Sequence, residues 1–200
     1  MVQLKISAGK PASLGPGLME ALARYRHRVF IDKLGWKLMA NEGLELDQFD
    51  RDDTLYVVAH THAGDVVGTA RLLPTERPYL LGEIFPQLMA GAELPCDREV
   101  WELSRFAATD LSAPRESALS QFSSPIAVAL LGYALRVAAS HGVQRLITVS
   151  PLGVERLLRR EGFAARRAAP PLVIDGHEVF ACWIEATDSV LLCPPERALS

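Results

Sequence analysis

Hydrophobic and polar residues follow one another along this chain in an order that predicts a sheet with intervening helices. Residues 18–33 carry apolar side chains at helical spacing, which predicts an amphipathic helix that ends at Gly35. Residues 54–60 and 66–73 are β-patterned and are joined by a short loop that contains glycine, which indicates a hairpin. Residues 100–106 are apolar enough for a buried strand.

The second half of the chain continues this alternation of helices and strands. Ser124-Pro125 is typical of a helix start, and Gly142 is typical of a helix end. The predicted elements are a helical turn near residues 84–89, a helix over about 125–141, a strand over 143–150, a helix over 151–161 and a hairpin of 172–174 with 178–186 around Asp175-Gly176. We therefore expect one α/β domain over residues 1–200, with a mixed sheet flanked by helices.

Composition narrows the function classes. The chain is 49% hydrophobic and 22% charged, with a net charge of −3, so it offers no basic field for nucleic acid. Its three cysteines lack metal-ligand spacing, which favours free thiols in a reducing compartment. The longest apolar run, residues 126–135, is too short to span a bilayer. We expect a cytoplasmic protein without a membrane span or a bound metal.

Charges inside apolar elements are the main pointer to chemistry. Glu102 and Arg105 stand in the predicted strand 100–106, where unpaired charges would be costly to bury. Other candidates for a shared site are Arg26, Asp47, Asp50 and Arg71. The sequence allows two interpretations: a structural ion-pair cluster that fixes the acidic segment 41–53 to the sheet, or a pocket for a zwitterionic or cationic small molecule.

Strand geometry adds a condition to the second interpretation. In an ideal strand Glu102 and Arg105 point to opposite faces. If both face one pocket, the strand must contain a β-bulge. We predict this distortion near residues 103–105.

An ordered set of motifs accompanies these charges. The motifs are Arg26-x₃-Phe30-x₅-Trp36, Glu45-x-Asp47-x₂-Asp50, Gly68-Thr69-Ala70-Arg71-Leu72-Leu73-Pro74, Phe85, Glu102-x-Ser104-Arg105-Phe106, Thr148-Val149-Ser150 and Glu155-Arg156-x₃-Arg160-x-Gly162-Phe163. Each is weak alone, but the set in this order and spacing resembles the acyl-homoserine-lactone synthases, the LuxI-type autoinducer synthases. The resemblance covers roughly residues 20–165.

The resemblance implies a fold similar to the GCN5-related N-acetyltransferases, with a central cleft where two strands splay apart. It also implies an acyltransferase that N-acylates S-adenosylmethionine from an acyl-acyl carrier protein and then closes the lactone. The products would be methylthioadenosine, the holo carrier and a quorum-sensing signal. S-adenosylmethionine would be a substrate, and no cofactor is expected.

The same resemblance assigns roles to individual residues. The expected catalytic residues are Glu102, Ser104 and Arg105. Glu102 would serve as general base for the α-amine, with its basicity raised by apolar neighbours, and peptide N–H groups near Ser104 would stabilise the oxyanion. The residues expected to bind S-adenosylmethionine are Arg26, Phe30, Trp36, Asp47, Asp50, Arg71 and Phe106, where Phe30 and Trp36 could equally be ordinary core aromatics.

Two further surfaces are expected from the acyl donor. The acyl chain would lie against Leu103, Leu146, Thr148 and Val149. The acidic carrier protein would dock on Arg156, Arg159 and Arg160, although these could also be scattered solvated arginines. The motifs leave open the acyl length and the choice between carrier protein and coenzyme A.

Two alternative functions remain open at this point. A coenzyme-A-dependent N-acetyltransferase of similar fold would cradle pyrophosphate on a glycine-rich loop, but no glycine lies between Val100 and Leu131. A non-catalytic regulatory module with a buried ion-pair network would not bind S-adenosylmethionine.

Overall fold

The protein has a mixed α/β fold built on one large sheet, as the sequence predicts. The structure is a computed structural model that describes residues 4–109, 111 and 124–186. Hydrogen bonds order the strands of the large sheet as Leu4–Gly9 (β1), Leu55–Thr61 (β4), Val66–Pro74 (β5), Val100–Ala107 (β6), Arg145–Pro151 (β7), His177–Glu185 (β10) and Ala165–Arg167 (β8), with Leu172–Ile174 (β9) beside β10. The pairs β1/β4 and β7/β10 are antiparallel, whereas β6/β7 is parallel.

The strands and helices of the described residues have the following bounds. The strands are β1 Leu4–Gly9, β2 Ala40–Asn41, β3 Leu44–Glu45, β4 Leu55–Thr61, β5 Val66–Pro74, β6 Val100–Ala107, β7 Arg145–Pro151, β8 Ala165–Arg167, β9 Leu172–Ile174 and β10 His177–Glu185. The helices are α1 Pro11–Leu14, α2 Pro16–Arg26, α3 Leu80–Ile84, α4 Pro125–Ser140 and α5 Val154–Arg160, with a π-helix over His27–Lys33 and a 3₁₀ turn over Pro86–Met89.

The chain forms two compact units. Among the described residues, the first unit comprises 4–71, 105–109, 111 and 124–133, and the second comprises 72–104 and 134–186. The boundary within β6 therefore falls between Ser104 and Arg105. The expectation of a single domain over residues 1–200 stays a prediction.

In the first unit, helix α2 packs its apolar side against β4. Leu22 on the helix and Tyr56 and Val58 on the strand form one buried cluster. Gly68 on β5 lies in a tightly packed place, because a Cβ there would be 3.1 Å from Leu130 Cδ2 and 3.2 Å from Ala59 Cβ. Helix α2 and strand β5 are thus both packed closely against β4.

In the second unit, strand β7 has neighbours on both sides. It pairs with β6 over Val100–Glu102 and with β10 along its whole length. The sequence predicts the hairpin at Asp175-Gly176, and the structure has positive φ at both residues, as in a type I′ turn. The predicted cap of α4 is also present, since Ser124 Oγ accepts a hydrogen bond from Ala127 N at 3.1 Å.

Several features differ from the sequence prediction or lie outside the described residues. The short elements α1, β2, β3 and β8 were not predicted, because segments of two to four residues carry too little periodicity. Residues 108–124 are rich in serine, alanine and proline without clear periodicity, which predicts a loop, and most of them lie outside the described residues. Cys96 and Cys182 are free thiols. No helix in the described part of the chain is long and apolar enough to cross a membrane.

Candidate active site

Six charged side chains of the first unit form one hydrogen-bonded cluster. The members of this six-charge cluster are Arg26, Glu45, Asp47, Asp50, Arg71 and Arg105. They come from α2, β3, the loop after β3, β5 and β6. The three positive and three negative charges balance, so the cluster as a whole is neutral.

Glu45 occupies the centre of the six-charge cluster. Its Oε2 accepts a hydrogen bond from Arg26 Nε at 2.6 Å, and its Oε1 accepts one from Arg105 Nη2 at 2.9 Å. The Glu45 side chain has no exposed surface. The sequence interpretation left Glu45 out of the shared charges, although it stands in the quoted motif Glu45-x-Asp47-x₂-Asp50. The motif spacing was the signal that could have found it.

Asp47 and Asp50 complete the cluster. Asp47 binds Arg71 Nη1 at 2.6 Å and Arg105 Nη2 at 2.7 Å. Asp50 forms a two-pronged contact with Arg26, whose Nη1 and Nη2 lie 2.7 and 2.9 Å from its oxygens. The side chain of Asp47 is 15% exposed, against 5% for Asp50. Asp47 is therefore the acid that a ligand reaches most easily.

The surroundings of Asp50 keep it ionised. Burial alone would raise the pKa of Asp50, but the hydrogen bonds and charge of Arg26, the charge of Arg71 and the Asp47 N–H hold that pKa well below its usual range. Tyr56 donates its hydroxyl hydrogen to Asp50 Oδ1 at 2.7 Å. Burial and the charge of Asp50 raise the pKa of Tyr56, so its hydroxyl stays a donor. Sequence reasoning missed Tyr56, whose position in an apolar strand gave no sign of this contact.

An aromatic pair lies next to the six-charge cluster. The rings of Phe30 and Trp36 stack with centroids 4.9 Å apart and planes at 24°. The guanidinium carbon of Arg105 lies 5.7 Å from the Phe30 ring centroid. Phe30 is buried, whereas Trp36 is 38% exposed. Trp36 is therefore not an ordinary core residue, and it offers an indole face to a ligand.

The helix that carries Arg26 and Phe30 changes its winding. The α-helix predicted to reach residue 33 ends at Arg26 and continues as a π-helix. Within the π-helix, Leu34 N bonds to Val29 O at 3.0 Å, an i to i+5 contact. Short π-helical stretches are frequent at functional sites because the extra residue per turn redirects the side chains that follow.

Strand β6 is distorted where the sequence predicts it. Arg105 has φ 51°, a left-handed conformation that a non-glycine residue rarely adopts within a strand. The prediction that Glu102 and Arg105 face one pocket stays a prediction.

Glu102 lies in the second unit, where it binds peptide groups. Its side chain is buried, and its Oε2 and Oε1 accept hydrogen bonds from Leu80 N at 2.9 Å and Leu81 N at 2.6 Å. Glu102 thus has two polar N–H partners besides its apolar neighbours. The role of general base that the sequence assigns to it stays a prediction. Ser104 is buried on the same strand, and Phe106 is half-buried.

The residues expected to line the acyl pocket are placed on β6 and β7. Leu103, Leu146 and Thr148 are buried, and Val149 is half-buried. Because β7 pairs regularly with β10, Thr148 and Val149 point to opposite faces. Leu146 and Thr148 lie on one face of β7, and Val149 lies on the other. A pocket on one face of β7 can therefore be lined either by Leu146 and Thr148 or by Val149.

Arginines of α5 and β8 line a groove of about 490 Å³ in the second unit. Glu155 binds Arg167 Nε at 2.7 Å and Arg159 Nη2 at 3.4 Å, so two of these cations are held in place. Arg160 contacts Glu161 at 2.9 Å. Arg156 lines the groove, is exposed, and forms no hydrogen bond or ion pair with any residue that the structure describes. Of the three arginines predicted to dock the carrier, Arg159 and Arg160 form ion pairs within the described part of the chain and Arg156 does not.

The described residues offer no group of three histidine, cysteine or acidic side chains that could hold a metal ion. The first unit provides a neutral charge cluster with a partly exposed indole beside it, which suits an organic substrate with charged and aromatic parts. The second unit separately provides a groove lined by arginines.

Comparison with known proteins identifies the family. The autoinducer synthase family model matches residues 16–191. The chain is 52% identical to an acyl-homoserine-lactone synthase of Acinetobacter nosocomialis over 182 residues, which is 91% of this chain and 100% of that protein. A crystal structure of TofI in a ternary complex with an inhibitor and MTA is 40% identical, with 97% and 98% of the two chains covered and a TM-score of 0.77.

A more distant likeness concerns the fold alone. A Lactobacillus plantarum protein assigned as an N-acetyltransferase is 21% identical, covers 92% of this chain and 99% of its own, and has a TM-score of 0.57. The expected similarity to acetyltransferase folds is thereby confirmed. The chain belongs to the autoinducer synthase family, a family of acyltransferases that includes the acyl-homoserine-lactone synthases.

Proposed function

We propose that the protein transfers an acyl group from an acyl-acyl carrier protein to the α-amine of S-adenosylmethionine and then forms the homoserine lactone. The convergence of Arg26, Asp47, Asp50, Arg71 and Arg105 in one cluster carries this proposal. These residues are scattered over about eighty positions of the chain, yet all match the family motifs. A structural ion pair alone would not require the exposed Trp36 beside them.

The nucleotide part of the substrate would stack on Trp36. An indole that is partly exposed and fixed against Phe30 at 4.9 Å is a ready platform for an adenine ring. Asp47, the most exposed acid of the six-charge cluster, would attract the sulfonium or ammonium group. Because Arg71 and Arg105 already bind Asp47, its carboxylate is held in place before the substrate arrives.

Acyl transfer would begin with attack of the neutral α-amine on the thioester carbonyl carbon. A C–N bond forms and the C–S bond breaks. The nitrogen gives up one of its two protons, and the departing carrier thiolate takes up a proton. Peptide N–H groups around Ser104 and Phe106 are the proposed oxyanion donors, since the left-handed Arg105 turns the strand between them. Before this attack the α-ammonium must lose a proton to become a neutral amine. The sequence assigns that proton to Glu102, and this assignment stays a prediction.

Lactone formation would follow on the same substrate. The carboxylate oxygen attacks the γ-carbon, and the bond from that carbon to the sulfonium breaks, so methylthioadenosine leaves as a neutral molecule. The leaving group is already activated, and alignment of carboxylate and γ-carbon is what the protein must supply.

The acyl donor would dock at the groove beside α5. Arg156 supports this placement, because its charge is available to an acidic partner while Arg159 and Arg167 are bound to Glu155. Carrier protein as donor and a cytoplasmic location remain predictions. The alternative of a coenzyme-A-dependent N-acetyltransferase is not favoured, since the curated relatives at 52% and 51% identity are acyl-homoserine-lactone synthases.

The test is a product assay with purified protein. S-adenosylmethionine is incubated with a panel of acyl-carrier and acyl-coenzyme-A donors, and methylthioadenosine and the acylated product are identified by mass. Equal amounts of methylthioadenosine and an acyl-homoserine lactone would support the proposal, and the best donor would give the acyl length. Release of free coenzyme A in the presence of an amine acceptor, without methylthioadenosine, would contradict it.

A further inference from the structure

Glu102 has a specific structural partner, the start of helix α3. Its two carboxylate oxygens accept hydrogen bonds from Leu80 N and Leu81 N, the first two helical residues after Tyr79. N–H groups at a helix start have no acceptor within the helix. The fully buried carboxylate of Glu102 therefore satisfies one buried donor, Leu81 N, and one part-buried donor, Leu80 N.

The connection that contains α3 is held by further hydrogen bonds, one of which reaches β6. At its start, Thr75 Oγ1 donates to Val100 O at 2.7 Å and also lies 3.0 Å from Asp97 O. Tyr79 donates its hydroxyl hydrogen to Pro95 O at 2.8 Å. Gly82 permits this packing, because a Cβ there would lie 3.0 Å from the Tyr79 ring. Glu102 belongs to this set of bonds.

Glu102 also occupies a special place along β6. It is paired with Ile147 in the last register position of the parallel β6/β7 ladder. Three residues later Arg105 adopts its left-handed conformation. The bonds to α3 thus fix the strand immediately before it turns toward the segment proposed to supply the oxyanion donors.

The same bonds oppose the use of Glu102 as a base. Hydrogen bonds from N–H groups to a carboxylate favour its ionised form and are weakened when that carboxylate takes a proton. The substrate has little need of such a base, because an α-amine with a pKa of about 7.7–8.0 is already unprotonated in roughly a tenth to a sixth of molecules at pH 7.

We propose that Glu102 is a positioning residue that clamps the start of α3 to β6, and that it is not the group that takes the proton of the α-ammonium. The inference rests on the proposed function, since it concerns the amine of S-adenosylmethionine. It replaces the role of general base that the sequence suggests for this carboxylate.

Three variants test the clamp. Glu102→Gln removes the charge and one acceptor. Leu80→Pro removes one N–H donor and leaves Glu102 in place, at a first helical position where proline is well tolerated. Glu83→Gln, the same chemical change at an exposed site of α3, is the control. Hydrogen exchange of Leu80–Ile84 and kcat and KM between about pH 6 and pH 9 are measured for each.

The clamp predicts that Glu102→Gln and Leu80→Pro share one phenotype. Both speed exchange in α3 and lower kcat/KM, and both keep the wild-type pH profile, which rises about tenfold per pH unit and levels off near about 7.7–8.0. The proposal is overturned if Glu102→Gln lowers kcat by about 10²–10⁴ and changes the pH profile while exchange in α3 stays normal.

Two safeguards keep the result interpretable. If Glu102→Gln does not fold, Leu80→Pro decides alone: normal exchange and normal kinetics in that variant would overturn the clamp. Wild-type protein that releases no methylthioadenosine would refute the proposed function instead. The exchange measurement needs no substrate, so it tests the clamp separately.

Discussion

Arg26 Nε donates a hydrogen bond to Glu45 Oε2 over 2.6 Å, and the two side chains are 1% and 0% exposed. The contact joins helix α2 to strand β3 across 19 positions of the chain. Arg105 binds the other oxygen of Glu45, so two arginines depend on one carboxylate. Loss of the Glu45 charge would leave a net positive charge among buried side chains.

We predict that Glu45→Gln lowers the free energy of unfolding by about 3–5 kcal/mol, because one partner of a buried ion pair is removed. Urea unfolding monitored by tryptophan fluorescence measures the change. Glu42→Gln is the matched control, since Glu42 is exposed three residues earlier. Equal stability of the two variants would show that the charge of Glu45 does not hold the cluster together.

Trp36→Ala should weaken substrate binding far more than it weakens the fold. Stacking of an aromatic side chain on a base contributes about 1–3 kcal/mol, so KM for S-adenosylmethionine should rise about tenfold. Met39→Ala in the same segment removes a side chain that is 87% exposed and should leave KM unchanged. Trp36→Phe should recover part of the loss. An unchanged KM in Trp36→Ala would exclude the indole as the nucleotide platform.

Arg156→Glu should raise KM for acyl-carrier donors about tenfold or more, because it reverses an exposed charge that other described residues do not engage. The KM for S-adenosylmethionine should stay as in wild type. Lys5→Glu alters the net charge equally at an exposed position of β1 and serves as the control. If both variants behave alike, net charge rather than the groove steers the carrier.

Alkaline conditions should destabilise the protein through Tyr79. Burial, helped by the charges of Glu102 and Cys96, raises the pKa of Tyr79 to about 12, whereas an unfolded tyrosine titrates near about 10. The folded state therefore binds this proton more tightly, and the resulting stability is complete below pH 10 and is lost between about pH 10 and pH 12.

The measurement is urea unfolding over this pH range, for wild type and Tyr79→Phe. The wild-type free energy of unfolding should fall more steeply with pH than that of the variant. Parallel curves would mean that the Tyr79 hydroxyl ionises as easily in the folded protein as in the unfolded chain.

The sequence predicted the elements whose signals are local. Asp175-Gly176 can form a type I′ turn wherever it stands, and Ser124-Pro125 begins a helix by its own side-chain chemistry. The distortion at Arg105 was also predicted. Glu102 and Arg105 would point to opposite faces of an ideal strand, so they could face one pocket only if the strand were distorted. The family resemblance added the site motifs, which local patterns alone would not have joined.

Other features depend on contacts between distant positions and were missed. The π-helix after Arg26 has the same residue types as an α-helix, and only its packing reveals the added residue per turn. The partners of Glu45 lie 19 and 60 positions away, and those of Glu102 lie 21 and 22 positions away. The sequence indicates that a buried acid needs hydrogen-bond donors, but it does not indicate which residues supply them.

The neutrality of the six-charge cluster gives ionic strength a selective effect on this protein. Dissolved ions screen charges that face solvent over about 8–10 Å, and they act much less on pairs that are shielded from water. Added salt should therefore leave the interlocked arginines and acids intact while it weakens attraction of an acidic partner to Arg156. At high salt concentration the protein should therefore stay folded, while its association with an acidic acyl donor should become slower.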